Sequence, residues 1–475
     1  MKILQKTKIV CTIGPASDNE EVLRRMFKAG LNVCRLNFSH GSLEDHAKKI
    51  ALIKRLRKEM ELPIAIMTDL QGPKIRVGKF KNGFEHIQQK QEFIFTTRDV
   101  EGTSDICSVS YANLVKDVSP GKRILVNDGL LEFTVVDVLN DTDVKCVAVN
   151  DGVISNNKGV NIPGVYMNVP FLSEKDIRDI DFAIEMGVDF IAASFTQRAE
   201  DLLQIKEIIK SKNAMTGIIA KIENQEGLNN SSDIIKVSDG IMVARGDMGV
   251  EIEPALVAFA QKELIRNAGL VGKPVITATQ MLESMTHSRR PTRAEVTDVT
   301  NAILDGTSAV MLSGETAAGE FPVEAVQMMH RIAVTTENTL DYEKLAKHSS
   351  ESQELTITNA IARATCSIAT ELKASAIITA STSGFTSRSV SKFKPKASIL
   401  ALTDQEWVTR RLALAWGVYP ILSPTFKTTD SMFEICTKVA KEHRFVKEGE
   451  TVVLTAGVPI GKAGSTNLIK VKVVQ

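Results

Sequence analysis

Lys221, Glu223 and Asp247 are the residues whose types and spacing most directly suggest chemistry. The lysine and glutamate sit at the end of a short apolar run, residues 218–222, and the aspartate follows a second run, residues 241–244. Apolar runs that stop abruptly at charged residues are what parallel strands buried on both faces look like. The intervening residues 227–239 are long enough for a helical crossover, so the stretch reads as a βαβ unit. Lys221 and Glu223 are two apart and project to one side of their strand. Asp247 lies just beyond the neighbouring strand, roughly 5 Å sideways in a sheet. Two carboxylates at adjacent strand ends suit a hard divalent cation, Mg²⁺ or Mn²⁺, which takes oxygen ligands and leaves positions for water or substrate. The lysine adds positive charge for an anionic transition state. A plain salt bridge to Lys221 and Arg245 would satisfy the same carboxylates, so the local pattern indicates only a cation site that handles an anion.

The elements that must position these groups repeat along the chain. Apolar runs at residues 8–14, 33–37, 64–69, 190–195, 217–222, 241–244, 274–279 and 309–312 alternate with helical segments such as residues 43–60. Eight βα repeats predict a (β/α)8 TIM barrel, and no G-x-G-x-x-G follows the first strand as a dinucleotide-binding sheet would require. The polar strand ends would share one mouth: Arg35, Asn37, Ser39 and His40; Asp69; Glu223; Asp247; Thr279 and Gln280; Ser313 and Glu315.

The rhythm breaks after the third strand. Residues 72–167 carry strand-like alternation at 92–96 and 132–138, with turn signals at Lys81-Asn82-Gly83, Asn127-Asp128-Gly129 and Asn150-Asp151-Gly152. They predict a small inserted β-barrel domain lying over the mouth as a lid. Lys158 sits near its return hinge, where an ordinary solvated lysine would look the same. The barrel would therefore comprise residues 1–71 and 168–342. A polar joint then leads to a C-terminal α/β domain with a parallel sheet, residues 343–475, with a helix at 356–372 and strands at 376–380, 399–402, 418–422 and 452–455. Its first strand runs into Ser381-Thr382-Ser383-Gly384-Phe385-Thr386. Hydroxyls and amides ahead of a helix suit a phosphate, and they also suit an ordinary capping loop.

Composition narrows the class. With 58 Lys+Arg against 57 Asp+Glu, no overall field favours nucleic acid or a membrane surface. No apolar run approaches the roughly 20 residues of a bilayer span, and the first residues lack a signal peptide's apolar segment. The six cysteines show no CxxC spacing and read as reduced structural residues, with no zinc site. A cytoplasmic protein is expected.

The strand-end motifs resemble the pyruvate kinase family. They are RLNFSHG (residues 35–41), GPKIR (72–76), NNKGVNIPG (156–164), AKIEN (220–224), ARGDMGVE (244–251), ATQMLESM (278–285), PTRAEVTDV (291–299) and MLSGETA (311–317), in family order over nearly the whole chain. The resemblance implies phosphoryl transfer from phosphoenolpyruvate to ADP. It implies Glu223 and Asp247 as ligands of Mg²⁺ or Mn²⁺, Lys221 and Arg35 on the moving phosphoryl group, and the Gly246 and Asp247 N–H groups on the substrate carboxylate. Thr279 would belong to a proton relay, with Ser313 and Glu315 lining the same pocket. Asn37, His40, Arg76 and Lys158 match the nucleotide side. The resemblance further implies a homotetramer, and a sugar-phosphate or nucleotide effector at Ser381, Thr382, Ser383, Gly384 and Thr386, covered by the loop at residues 457–467.

One departure stands out. Many family members read Asp-Thr-Lys-Gly-Pro-Glu where this chain has Asp69-Leu70-Gln71-Gly72-Pro73-Lys74. K⁺ there sits among Asn37-, Ser39- and Asp69-equivalent oxygens. Lys74 would place an ammonium in that region to balance Asp69, resembling the K⁺-independent branch, unless it turns to solvent and K⁺ still binds. Two other classes share part of the pattern: a Mg²⁺-dependent barrel lyase or aldolase, and a catalytically silent sugar-phosphate sensor.

Overall fold

The structure, a computed structural model, describes residues 5–165, 169–348, 356–459 and 464–475. The expected return of the insert at residues 167–168 lies outside the described residues, as do part of the joint after the barrel and part of the 457–467 loop.

Eight parallel strands close into a barrel: Lys8–Thr12, Val33–Asn37, Ala65–Asp69, Phe190–Ala193, Gly217–Ile222, Gly240–Ala244, Val275–Ala278 and Ala309–Leu312. Each pairs with its successor, and the third meets the fourth across the whole insertion. Alternate residues face two different cores. Val10, Val33, Met67, Ala192, Ile219, Met242 and Met311 belong to one buried cluster, whereas Ile9, Cys11, Cys34, Ile66, Ile218 and Val243 pack with the surrounding helices in another. Ala413 and Leu414, from the C-terminal domain, join the first cluster.

Helix starts carry their own signals. Ser42, Ser173 and Thr292 form capping boxes with Asp45, Asp176 and Glu295. The crossover between Lys221 and Asp247 is two short helices, Gln225–Asn229 and Ser231–Val237, that abut at Asn230.

The insert is a seven-stranded sheet and a two-stranded one, Phe84–Ile87 with Gly152–Ser155, around Phe93, Phe95 and Phe133, whose ring centroids lie 5.0–5.3 Å apart. Its two edge strands, Ile75–Arg76 and Ile106–Ser108, are joined by a Val77–Val109 bridge and by Gly78 N–H donating to the Ser108 carbonyl, so the sheet curls back on itself. Asn127 and Asp128, both left-handed, make the tight turn between Arg123–Val126 and Leu131–Val138.

The C-terminal sheet has the order Val418–Leu422, Ser398–Thr403, Ala376–Ala380, Thr451–Ala456, Leu468–Val473. Four strands are parallel, and the last is an antiparallel edge that was not expected from the sequence. Lys470 is exposed on it and Lys472 half-buried, and lysines are common on edges protected against further pairing.

Candidate active site

The strand ends converge on one charge cluster. Register places Asn37 opposite Asp69, and Asp69 opposite Ala192, so the second, third and fourth strands finish level. Arg35 Nε donates to Asp69 Oδ2 at 2.7 Å, and its Nη1 donates to Thr12 Oγ1 at 2.8 Å. Lys221 Nζ donates to Ser194 Oγ at 2.6 Å and to Asp69 Oδ1 at 3.2 Å. It also stands 2.9 Å from Glu223 Oε1. Phe195 N–H holds the other oxygen, Glu223 Oε2, at 2.5 Å.

Burial and pairing set the charges. Desolvation opposes the charge on Asp69, but Lys221 and Arg35 outweigh it and hold its carboxyl below the usual range. Burial also opposes the charge on Lys221, and Asp69 and Glu223 override it, so the ammonium is firmly protonated. Glu223 goes the other way. Burial pushes its carboxyl up and Asp247 adds repulsion, while Lys221, already shared with Asp69, compensates only in part. Despite the short ion-pair distance, Glu223 Oε1 accepts no well-aligned hydrogen bond.

That orphaned buried oxygen, in a cleft also lined by Asp247, fits a cation. Among the described residues no three His, Cys, Asp or Glu side chains form a metal cage. Two carboxylates with positions left for substrate and water are what Mg²⁺ tolerates.

Asp247 lies just beyond its strand, as expected, and on a helix. The strand Gly240–Ala244 passes directly into the helix Arg245–Glu251, and Asp247 lies in its first turn. Arg245 turns away to Asp298 at 2.8 Å and to the Thr279 carbonyl at 2.7 Å, which leaves the carboxylate pair without that counter-ion. Thr279 has φ +69°, a costly left-handed conformation for a β-branched residue. Its hydroxyl donates to the Ala278 carbonyl at 2.6 Å and accepts Gly246 N–H at 2.8 Å. The Gly246 amide expected to meet a substrate carboxylate is thus occupied here by Thr279.

Lid and barrel enclose an open cleft of about 930 Å³. Its walls include Arg35, Asn37, Ser39, His40, Asp69, Leu70, Lys74, Arg76, Lys158, Lys221, Glu223 and Asp247. Arg76 Nη1 donates to the Asn157 carbonyl at 2.8 Å, and the Arg76 strand pairs with the one that follows Lys158. Four expected residues lie outside these walls. Gly246 and Thr279 stand just behind Asp247. Glu315 is fully buried as a clasp, taking Leu282 N–H at 3.0 Å and Ser313 N–H at 2.6 Å, and Ser313 Oγ is buried without a partner. Burial raises the Glu315 carboxyl against these bonds.

Lys74 needs a correction. Its ammonium lies 3.8 Å from Asp247 and 3.7 Å from Asp128 on the lid turn, while Asp69 is balanced by Arg35 and Lys221. Ser194 and Phe195 were missed altogether. Residues 190–195 read as one apolar strand, yet the strand stops at Ala193 and Phe195 turns left-handed at φ +54°, which aims its N–H at Glu223. Asn161 was missed too; its amide donates to buried Glu251 at 2.6 Å, pinning lid to barrel.

In the C-terminal domain, Ser381-Thr382-Ser383-Gly384 leads into the helix Phe385–Ser391, with Gly384 left-handed at φ +72°. The Thr386 hydroxyl is paired with Thr466 at 2.8 Å.

Known proteins share this fold over nearly the whole chain. The family model described as pyruvate kinase, barrel domain, matches residues 4–326, and that described as pyruvate kinase, alpha/beta domain, matches residues 359–472. A pyruvate kinase of Geobacillus stearothermophilus is 48% identical over 99% of this chain and 80% of its own length. One from Staphylococcus aureus (strain USA300) is 47% identical over 99% and 81%. A crystal structure of a pyruvate kinase from Cryptosporidium parvum superposes with a TM-score of 0.94 at 38% identity, covering 99% of this chain and 96% of that one.

Proposed function

The chain belongs to the pyruvate kinase family, a family of phosphotransferases, and from that premise we propose that its cleft moves the phosphoryl group of phosphoenolpyruvate to ADP. The observation that carries this reading is the buried Lys221–Glu223 pair, with one glutamate oxygen unclaimed, in a cleft shared with Asp247 and overhung by Arg76 and Lys158. Phosphoryl transfer needs positioned cations more than a covalent nucleophile, and the cleft offers them from both barrel and lid.

Glu223 and Asp247 would hold Mg²⁺ or Mn²⁺, which when bound neutralises charge on the phosphoryl and enolate oxygens. Lys221 presents its ammonium to the phosphoryl group in flight, and Arg35 grips its oxygens. Thr279, held behind Asp247 by its strained turn, belongs to the proton relay that converts enolpyruvate to pyruvate. Ser313 and Glu315 support that wall from behind it. Arg76, Lys158, Asn37 and His40 take the nucleotide, and lid closure excludes water, the competing phosphoryl acceptor.

Finer readings accompany this one. The barrel comprises residues 1–71 and 168–342, the lid 72–167 and the effector domain 343–475. Ser381, Thr382, Ser383, Gly384 and Thr386 bind a sugar-phosphate or nucleotide effector, and the enzyme works in the cytoplasm as a homotetramer. The chain belongs to the K⁺-independent branch. Lys74 supports that last reading, because its ammonium shares the cleft with Asn37, Ser39, Asp69 and Leu70, although its nearest carboxylates are Asp247 and Asp128. Pyruvate formation in K⁺-free buffer tests it. Full activity without K⁺, and a K⁺ requirement created by Lys74→Glu, is the expected outcome; native activity that appears only with K⁺ discards the idea.

A further inference from the structure

At the opposite end of the barrel from the cleft, the C-terminal domain meets the starts of the seventh and eighth strands in a second cleft. Lys273, Pro274 and Ser308 line it from the barrel, and Arg388, Lys392 and Lys394 from the helix Phe385–Ser391 and the residues after it. About 410 Å³ of atom-free space lies there, counting the open mouth. Gly272 (φ +71°) and Gly306 (φ +97°) make left-handed turns at the barrel side of the cleft, with the Lys392 and Lys394 side chains in van der Waals reach of them.

The walls carry four cations and no Asp or Glu. Lys273 gives two of its three ammonium hydrogens to the Ile235 and Lys236 carbonyls, and Lys392 Nζ donates to Asn359 Oδ1 at 3.4 Å. Arg388 Nη1 donates to the Ser383 carbonyl at 3.2 Å, and Lys394 Nζ lies 4.5 Å above the Trp416 ring. The nearby acids are engaged elsewhere: Asp239 with Arg411, and Glu337 with the Lys6 and Thr7 amides. Burial pulls Lys394 down to about 7, Lys273 to about 8 and Arg388 to about 10, and Glu337 beside the first and Asp239 beside the other two offset it only in part. Cations assembled in a partly desolvated cleft are costly unless something negative joins them.

We propose that this cleft binds a compact tetrahedral oxyanion, either inorganic phosphate or the phosphoryl end of a small phosphomonoester, held across the two domains by Lys273, Arg388, Lys392 and Lys394. The anion cross-links barrel and C-terminal domain through charge-assisted hydrogen bonds. Arg388 also connects the site to Ser383, so occupancy bears on the Ser381–Thr386 loop from behind. The site stands whatever that loop itself binds.

Trp416 lines the cleft and is one of only two tryptophans, which makes it a reporter in a Trp407→Phe background. Inorganic phosphate and glycerol 3-phosphate are titrated separately into the full chain at constant ionic strength, with radiolabelled phosphate binding as a second readout. We expect saturable phosphate binding that weakens at least about tenfold in Lys394→Met and in Lys392→Met, the loss of one charge-assisted contact, and that persists in Thr382→Glu. Equal binding of glycerol 3-phosphate identifies a phosphoryl group as sufficient, and binding of phosphate alone identifies the free anion. No saturable binding by either readout, binding unchanged in a folded methionine variant, or binding lost only in Thr382→Glu would overturn the proposal.

Discussion

Glu223 holds its two oxygens in different circumstances. Phe195 N–H fixes one, and the other faces Lys221 without an aligned hydrogen bond, in a position where burial opposes its charge. A metal ligand should look like this before its ion arrives. Glu223→Gln should therefore raise the Mg²⁺ concentration for half-maximal rate by more than about 100-fold, since even outer partners of metal ligands cost 10–100-fold; an unchanged Mg²⁺ titration would remove Glu223 from the metal site. Lys221, Glu223 and Asp247 were legible in the sequence because charged residues stand out sharply where a buried apolar run ends. Ser194 and Phe195 were not, because the left-handed turn that aims Phe195 N–H leaves no mark in residue type. Lys74 was legible as a cation, but its choice of Asp247 and Asp128 over Asp69 depends on how the lid turn closes above it.

Strands and helices were read with small errors at their ends, and the exceptions have local causes. The crossover at residues 227–239 splits at Asn230, and the sixth strand enters its helix without a loop. Lid and barrel share a buried polar pair, Asn161 and Glu251, the latter four residues along that helix from Asp247. Asn161→Ala would leave Glu251 buried and unpaired, which favours the open lid. The expected result is an ADP KM raised several-fold, about 1 kcal/mol of lost docking, with the phosphoenolpyruvate KM little changed. Steady-state kinetics with each substrate varied in turn checks it, and an unchanged ADP KM would mean that the pair does not govern closure.

Across the whole molecule the C-terminal domain closes the base of the barrel. Ala413 and Leu414 enter the barrel's inner core, and Arg410 Nε donates at 2.7 Å to buried Asp189, which also takes Arg57 and the Ile66 amide. No periodicity reveals this joint, because its partners are more than 200 positions apart and meet only in the assembled fold. Arg410→Ala should destabilise the chain by about 1–3 kcal/mol, seen as a lower urea midpoint for the transition that separates the domains; an unmoved midpoint would show the apolar plug to be sufficient alone. Barrel and lid together wall the active-site cleft, and its most direct test is pyruvate formation from phosphoenolpyruvate by the full chain. With Mg²⁺ and ADP together the native chain should turn over, omission of either should stop it, and folded Lys221→Met should lose at least about 100-fold in kcat. Pyruvate released without ADP, or undiminished turnover in Lys221→Met, would contradict phosphoryl transfer in this cleft.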